Sequence, residues 1–321
     1  MLFFESVREY KQSDAFFDII IYNRSNSLGG PDLEGRIIKL TGGLYTVMDQ
    51  QNQIRECKPL GIFRHRNIAP KVGDFVVLEG PSIVEVKERH NDFTRPMIAN
   101  VDKVLLIQSA KEPDFSFHLL DRFLLLIESE GVEPIIIITK MDLLTQEESH
   151  ALKEQLQYYQ SYYPVLYTSS SKLQGIREII PYIQDKIAVV AGQTGAGKSS
   201  LLNAINPDLQ LDTNTISKAL GRGKHTTRTV ELIPFETGWI ADTPGFSKLD
   251  FTFSDPTVLK QYYPDFVALQ AECRFLGCSH THEPSCRVKQ AVRQGEILPS
   301  RYQNYLLFYE EIKAVKPKYP R

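Results

Sequence analysis

Apolar positions along the 321-residue chain fall into three successive rhythms. Between Gly35 and Arg89 they come in short runs: Gly35–Thr41, Leu44–Asp49, Gln53–Lys58, Phe75–Glu79 and Ile83–Arg89. Short β-type runs bounded by turn residues read as strands, and the Gly42-Gly43 pair between the first two supplies the positive φ angles of a tight hairpin. Five such strands in about 60 residues fit a small barrel, with the OB-fold as the leading form. From residue 101 the apolar runs become continuous, at Lys103–Gln108, Pro134–Thr139, Val165–Tyr167, Lys186–Ala191 and Trp239–Ala241. Runs of that kind are strands covered on both faces. The intervening Leu119–Ser129, Gln146–Tyr159, Leu173–Gln184 and Lys198–Ile205 fit helices, so this part is a doubly wound α/β domain. After Asp255 a Cys/His cluster precedes a polar helical tail. The expected division is therefore a barrel over 33–95, an α/β domain over 96–255 and a helical C-terminal domain over 256–321. Residues 1–32, with the linker-like Ser25–Pro31, form an extension with no assigned role.

Composition narrows this picture by exclusion. A net charge of −2 gives no overall pull toward nucleic acid, so any such affinity rests on local patches. No apolar run approaches the roughly 20 residues of a membrane span, and the first residues do not read as a secretory signal. Four cysteines are too few for a disulfide scaffold, and three of them crowd near a histidine. That pattern suggests a metal site in a reducing compartment, and a cytoplasmic protein.

The chemistry is concentrated in three places. Gly192, Gln193, Thr194, Gly195, Ala196, Gly197, Lys198 and Ser199 match G-x-x-x-x-G-K-[ST] between a strand and a helix, with Ser200 next in the first turn. Glycines let the backbone wrap phosphates at a helix N-terminus, Lys198 reaches the β- and γ-phosphates, and Ser199 ligates Mg²⁺. Asp242-Thr243-Pro244-Gly245 follows a strand some forty residues on. There Asp242 can hold Mg²⁺ through water and the Gly245 amide can meet the γ-phosphate. Thr139-Lys140-Met141-Asp142 resembles the guanine-reading motif of GTPases, with Thr139 where Asn is usual. An ionised Asp142 accepts from both N1–H and the 2-amino group of guanine, donors that adenine lacks on that edge. Lys140 lies along the base, while Thr139 can still bond the backbone of the phosphate loop. Ser169-Ser170 resembles the weaker base-supporting motif. Finally, Cys273-x4-Cys278-x-His280-x5-Cys286 offers a closed set of three thiolates and an imidazole for one structural Zn²⁺, with His282 as a competing ligand.

The base-reading motifs precede the phosphate loop and DTPG, the reverse of their order in ordinary GTPases, so the domain is circularly permuted. With a barrel before it and a Cys/His cluster after it, the chain resembles the ribosome small-subunit-dependent GTPase A (RsgA) family over roughly residues 33 to 315. Gly221-Arg222-Gly223-Lys224-His225-Thr226-Thr227 looks like that family's switch I signature, and Asp242 to Phe246 matches its DTPGF. The resemblance implies GTP hydrolysis stimulated by the small (30S) ribosomal subunit, a role in its late maturation, contact with its rRNA, Mg²⁺ with GTP/GDP, and one structural Zn²⁺. We read the protein as a monomer without membrane contact.

Phe246 stands where many GTPases carry a water-orienting Gln, so another group must act. His225 is the candidate, beside Thr226 and Thr227, of which Thr227 is expected to cap Mg²⁺ and the γ-phosphate. Contact of His225 with rRNA or solvent is the alternative. From Cys273 to Arg321, nine Lys and Arg face four Glu, a basic excess that suits RNA; a solvated helix face is the plainer account. The zinc segment, hanging directly from DTPGF, is expected to feel the γ-phosphate. Two other readings stay open: an RNA-binding assembly factor with structural nucleotide, and a metabolic P-loop kinase.

Overall fold

A computed structural model of the chain describes residues 33–314 apart from 62, 64–67, 94–95, 210–229, 236, 243–250, 252 and 254. The first five strands are β1 (Leu33–Thr41), β2 (Leu44–Asp49), β3 (Ile54–Pro59), β4 (Phe75–Glu79) and β5 (Ser82–Val86). β1 pairs with both β2 and β4, and β3 runs parallel to β5, so the sheet closes on itself in the OB order. Gly42 and Gly43 turn the first hairpin with φ of 59° and 82°. Ile37, Val47, Cys57, Val76 and Ile83 fill the interior, which makes Cys57 a core side chain.

The second set comprises β6 (Lys103–Ser109), β7 (Glu133–Thr139), β8 (Val165–Tyr167), β9 (Ile187–Ala191), β10 (Glu231–Phe235) and β11 (Gly238–Asp242). Their order is β10-β11-β9-β6-β7-β8, all parallel except β10. β10 escaped the sequence reading because Glu231 and Pro234 interrupt its apolar run; a proline is tolerated near a sheet edge. β10 also bonds to β1 at Glu231 and Lys39, whose side chains form a 2.8 Å ion pair. Among the described residues that ladder contact joins barrel and α/β sheet into a continuous eleven-stranded sheet.

Helix α1 (Phe117–Ser129) starts at Ser116, whose hydroxyl accepts from the Leu119 amide. Thr145 and Glu148 form a capping box at the start of α2 (Gln146–Gln160). The helix expected over Leu173–Gln184 is shorter than that. Leu173 and Gly175 take left-handed conformations, at φ of 55° and 69°, and only a 3₁₀ turn (Arg177–Ile179) and α3 (Ile180–Ile183) follow. Helix α4 (Lys198–Ile205) follows the phosphate loop.

The C-terminal helices α5 (Pro264–Leu269), α6 (Arg287–Arg293) and α7 (Pro299–Ala314) share a core with α1 through Leu125. Arg301, fully buried on α7, locks this contact. Its guanidinium donates to Asp121 of α1 at 2.7 Å and to Asp265 of α5 at 2.7 and 3.0 Å. It also lies against the rings of Tyr159 and Tyr263. Tyr159 and Asn304 complete the bonding of Asp121, and Tyr158 that of Asp265. Arg301 therefore does not belong to an RNA-facing basic tail. Arg287 is likewise committed to Glu272 and Glu296, and Lys289 to the carbonyls of Thr281 and Glu283. The C-terminal helices are thus seated on α1, beyond their chain connection through residues 243–250.

Candidate nucleotide and metal sites

The phosphate loop leaves β9 at Gly192 and enters α4 at Lys198. Gly192, at φ 136°, passes so close to β6 that a Cβ there would lie 2.1 Å from the Ile107 carbonyl. Gly195 and Gly197 take φ of 83° and 88°. Among the described residues the amides of Gly195, Gly197 and Lys198 have no acceptor, the arrangement in which a loop presents N–H groups to an anion. The Lys198 ammonium donates to the carbonyls of Gly192 and Gln193 at 2.8 and 2.7 Å. Burial pushes it below its ordinary pKa, a cost that phosphate charge would offset. Ser199 is buried in the first turn of α4.

Beside this loop lies a cavity of about 540 Å³ lined by Thr139, Lys140, Asp142, Ser170, Gly197 and Ser200 among others. Its size is that of a small-molecule pocket. Thr139, buried in the cavity wall, donates from Oγ1 to the Ala196 carbonyl at 2.6 Å. Lys140 adopts a left-handed conformation, φ 57°, that returns its stem across the loop to the Glu112 carbonyl. Hydrogen bonds from Ser169 and Ser171 hold the Asp142 carboxyl below the usual carboxylate range. Ser170 lines the cavity, whereas Ser169 is buried behind it and paired with Gln174 through both backbone groups.

Sequence reasoning missed Leu143, Ser171, Leu173, Asn203 and Ala204, which also line the cavity. Ser171 directly follows the noted serine pair, and Asn203 and Ala204 lie one turn beyond Ser199 and Ser200, so helical spacing was an available signal. Asp242 ends β11, but its side chain, Gly245, His225, Thr226 and Thr227 lie outside the described residues.

In the C-terminal domain the ligand atoms of Cys273, Cys278, His280 and Cys286 all lie within 4.8 Å of one another. Thiolates on a tetrahedral zinc sit about 3.8 Å apart, given Zn–S bonds of about 2.3 Å. Cys273 and Cys286 sulfurs are 4.0 Å apart, and His280 Nδ1 is 3.7 and 3.4 Å from them. The set fits one Zn²⁺, with Nδ1 as the imidazole donor. His282 is exposed and outside the cluster. Burial pushes the Cys278 thiol up to about 12 and the His280 imidazole down to about 4. A divalent cation would offset the cost of ionising such thiols and takes imidazole in its neutral form. Outer support comes from Tyr302 and Tyr305, which donate to the carbonyls of His280 and Ser279 at 2.7 and 2.6 Å. Glu283 accepts from Ser279 and Thr281 and, against the upward push of burial, these bonds hold it down to about 2.

Known proteins share this arrangement. Residues 34–82 match the RsgA N-terminal domain and residues 86–252 the RsgA GTPase domain. A Halalkalibacterium halodurans protein named small ribosomal subunit biogenesis GTPase RsgA is 49% identical over 287 residues, covering 88% of this chain and 97% of its own. Its Bacillus subtilis namesake is 47% identical over 296 residues, covering 89% and 99%. The crystal structure of YjeQ from Thermotoga maritima superposes with a TM-score of 0.80 at 36% identity, over 89% of this chain and all of that one. That of YloQ, described as a circularly permuted GTPase, gives 0.78 at 41% identity, over 91% and 99%. With both family domains matched and the same fold in solved relatives, the chain belongs to the RsgA GTPase family.

Proposed function

We propose that this GTPase acts on the small ribosomal subunit during its late maturation and hydrolyses GTP with stimulation by the subunit. The observation that carries this reading is the cavity in which Asp142, Lys140 and the phosphate loop converge, within a chain whose relatives at 47–49% identity are named for small-subunit biogenesis.

In this reading Asp142, held ionised, accepts from N1–H and the amino group of guanine, while the Lys140 stem covers the ring. Thr139, Ser169 and Ser170 keep the base loops in register with Gly192 to Ser200, which bind the phosphates. Mg²⁺, which neutralises developing phosphate charge, would be held by Ser199 and Asp242. The water oxygen bonds to the γ-phosphorus as the bond to the β–γ bridging oxygen breaks, giving GDP and phosphate. His225 orients that water, Thr227, beside Thr226, would cap Mg²⁺ and the γ-phosphate, and the Gly245 amide meets the γ-phosphate. Cys273, Cys278, His280 and Cys286 would hold a structural Zn²⁺, which would organise the domain that contacts rRNA. The barrel (33–95), permuted GTPase domain (96–255) and zinc domain (256–321) act as one cytoplasmic monomer, with no role assigned to residues 1–32.

The test measures GTP and ATP hydrolysis with and without purified small subunits. We expect slow GTP turnover alone, at least tenfold faster turnover with subunits, and no comparable effect with ATP. Subunit binding without stimulation would favour an assembly factor whose nucleotide is structural. Full stimulated turnover in His225→Ala would remove His225 from catalysis.

A further inference from the structure

A second cavity, of about 210 Å³, opens at the seam between barrel and α/β sheet. Glu34, Gly35 and Arg36 of β1, Met48 to Gln50 at the end of β2, Phe75 of β4 and Trp239 of β11 line it. Whole-ligand pockets run from roughly 300 to 1,000 Å³, so this one suits a single planar ring system. Gly35 lets β1 pass close to β2 beside the slot: a Cβ there would lie 2.6 Å from the buried Val47 Cγ1 and 2.8 Å from the Met48 carbonyl.

The walls set two aromatic rings and a guanidinium beside two carboxylates, Glu34 and Asp49. Phe75 is 44% exposed on a strand whose next three residues are buried, and Trp239 is half-buried across the seam. The Arg36 guanidinium lies 4.2 Å from the centre of the Phe75 ring, a cation–π contact that forms part of the slot's wall. Among the described residues the Arg36 guanidinium makes no hydrogen bond or ion pair, and burial lowers its pKa despite longer-range attraction to Asp102. The acidic groups nearby are already answered. Asp49 accepts from Arg55 and from the Gln51 and Gln53 amides, and Glu34 from Lys87 and Gln50. What remains is an aromatic and guanidinium slot with one unanswered positive charge, the surface on which unstacked RNA bases lie.

We propose that this slot, lined by Arg36, Phe75 and Trp239, binds one unpaired nucleobase of the RNA on which the protein acts. The inference rests on the RNA-facing reading above. It places a base against β11, three residues before Asp242, so RNA at the seam would touch the strand that ends at the nucleotide site.

Trp239 is the chain's one tryptophan, so its emission reports this slot directly. The full chain is titrated with short single-stranded oligoribonucleotides of each base and with a blunt RNA duplex. We expect at least one single strand to quench Trp239 saturably while the duplex, whose bases stay stacked, does not. Phe75→Leu and Arg36→Ala should each weaken that binding about tenfold. Arg36→Lys should weaken it too, because it keeps the charge and loses the plane; melting temperatures check that each variant folds. No quenching by any strand, equal quenching by duplex, or equal affinity in all variants would overturn the proposal. So would quenching by whole small subunits alone, which would assign the slot to a protein contact. GTP turnover with subunits is measured on the same preparations; if stimulation is absent there, the functional reading fails independently of the oligonucleotide result.

Discussion

The hydroxyl of Thr139, buried at the end of β7, donates a 2.6 Å hydrogen bond to the carbonyl of Ala196 in the phosphate loop. The loop proposed to read the base and the loop proposed to bind phosphate are thereby tied together by a residue standing where most GTPases have Asn. Thr139→Val keeps the shape and leaves that carbonyl unpaired, at about 1–3 kcal/mol. We expect GTP and GDP affinity to fall about tenfold, and Thr139→Asn to retain most of it, in equilibrium titrations with a fluorescent guanine nucleotide.

Asp142→Asn removes the double acceptor. GTP affinity should fall a hundredfold or more, while xanthosine triphosphate, with a carbonyl in place of the 2-amino group, should gain. The lowered pKa of Asp142 also sets a pH dependence. A carboxyl depressed in the folded protein stays ionised as pH falls through the ordinary Asp value of about 3.9. Guanine binding should therefore be flat from neutral pH to about 5, as isothermal titration across that range would show.

Arg301→Met leaves Asp121 and Asp265 without their counter-ion in a dry interior. Breaking a buried pair in this way costs about 3–5 kcal/mol. We expect a clear drop in apparent melting temperature, with most of the loss recovered in Arg301→Met/Asp121→Asn/Asp265→Asn. A triple variant no better than the single one would show that the ion pairs are not the source of the loss.

For the metal, elemental analysis should find one zinc per chain, and Cys286→Ser should lower that content. Chelation should change the near-ultraviolet circular dichroism of Tyr302 and Tyr305, whose hydroxyls bond the Ser279–His280 backbone. Guanine nucleotide binding should survive it, because the base cavity shares no residue with the cluster.

Features written in local sequence were the readable ones. The phosphate loop, the Cys/His spacing and the apolar runs of β6, β7 and β9 each carry their signal within a few residues. β10 was hidden by Pro234, and the helix expected from Leu173 was cut short by left-handed turns at Leu173 and Gly175. Arg301 misled for a different reason: it bonds Asp121, 180 positions away, so its charge reads as exposed until the fold is known. Ser171, Asn203 and Ala204 enter the base cavity only because three separate loops and helices converge there.

The single ladder contact between β1 and β10 also bears on how the chain can be divided. Beyond it, among the described residues β10 has only β11 as a hydrogen-bonding neighbour. An α/β domain expressed without the barrel would present β10 as an open edge, and exposed edges template pairing between chains. Pro234 gives that edge some protection, as does Glu231 once freed from Lys39. A truncation at the family-domain boundary near residue 86 is thus a poor starting point for isolated-domain work, and one that keeps β1 is the sounder choice.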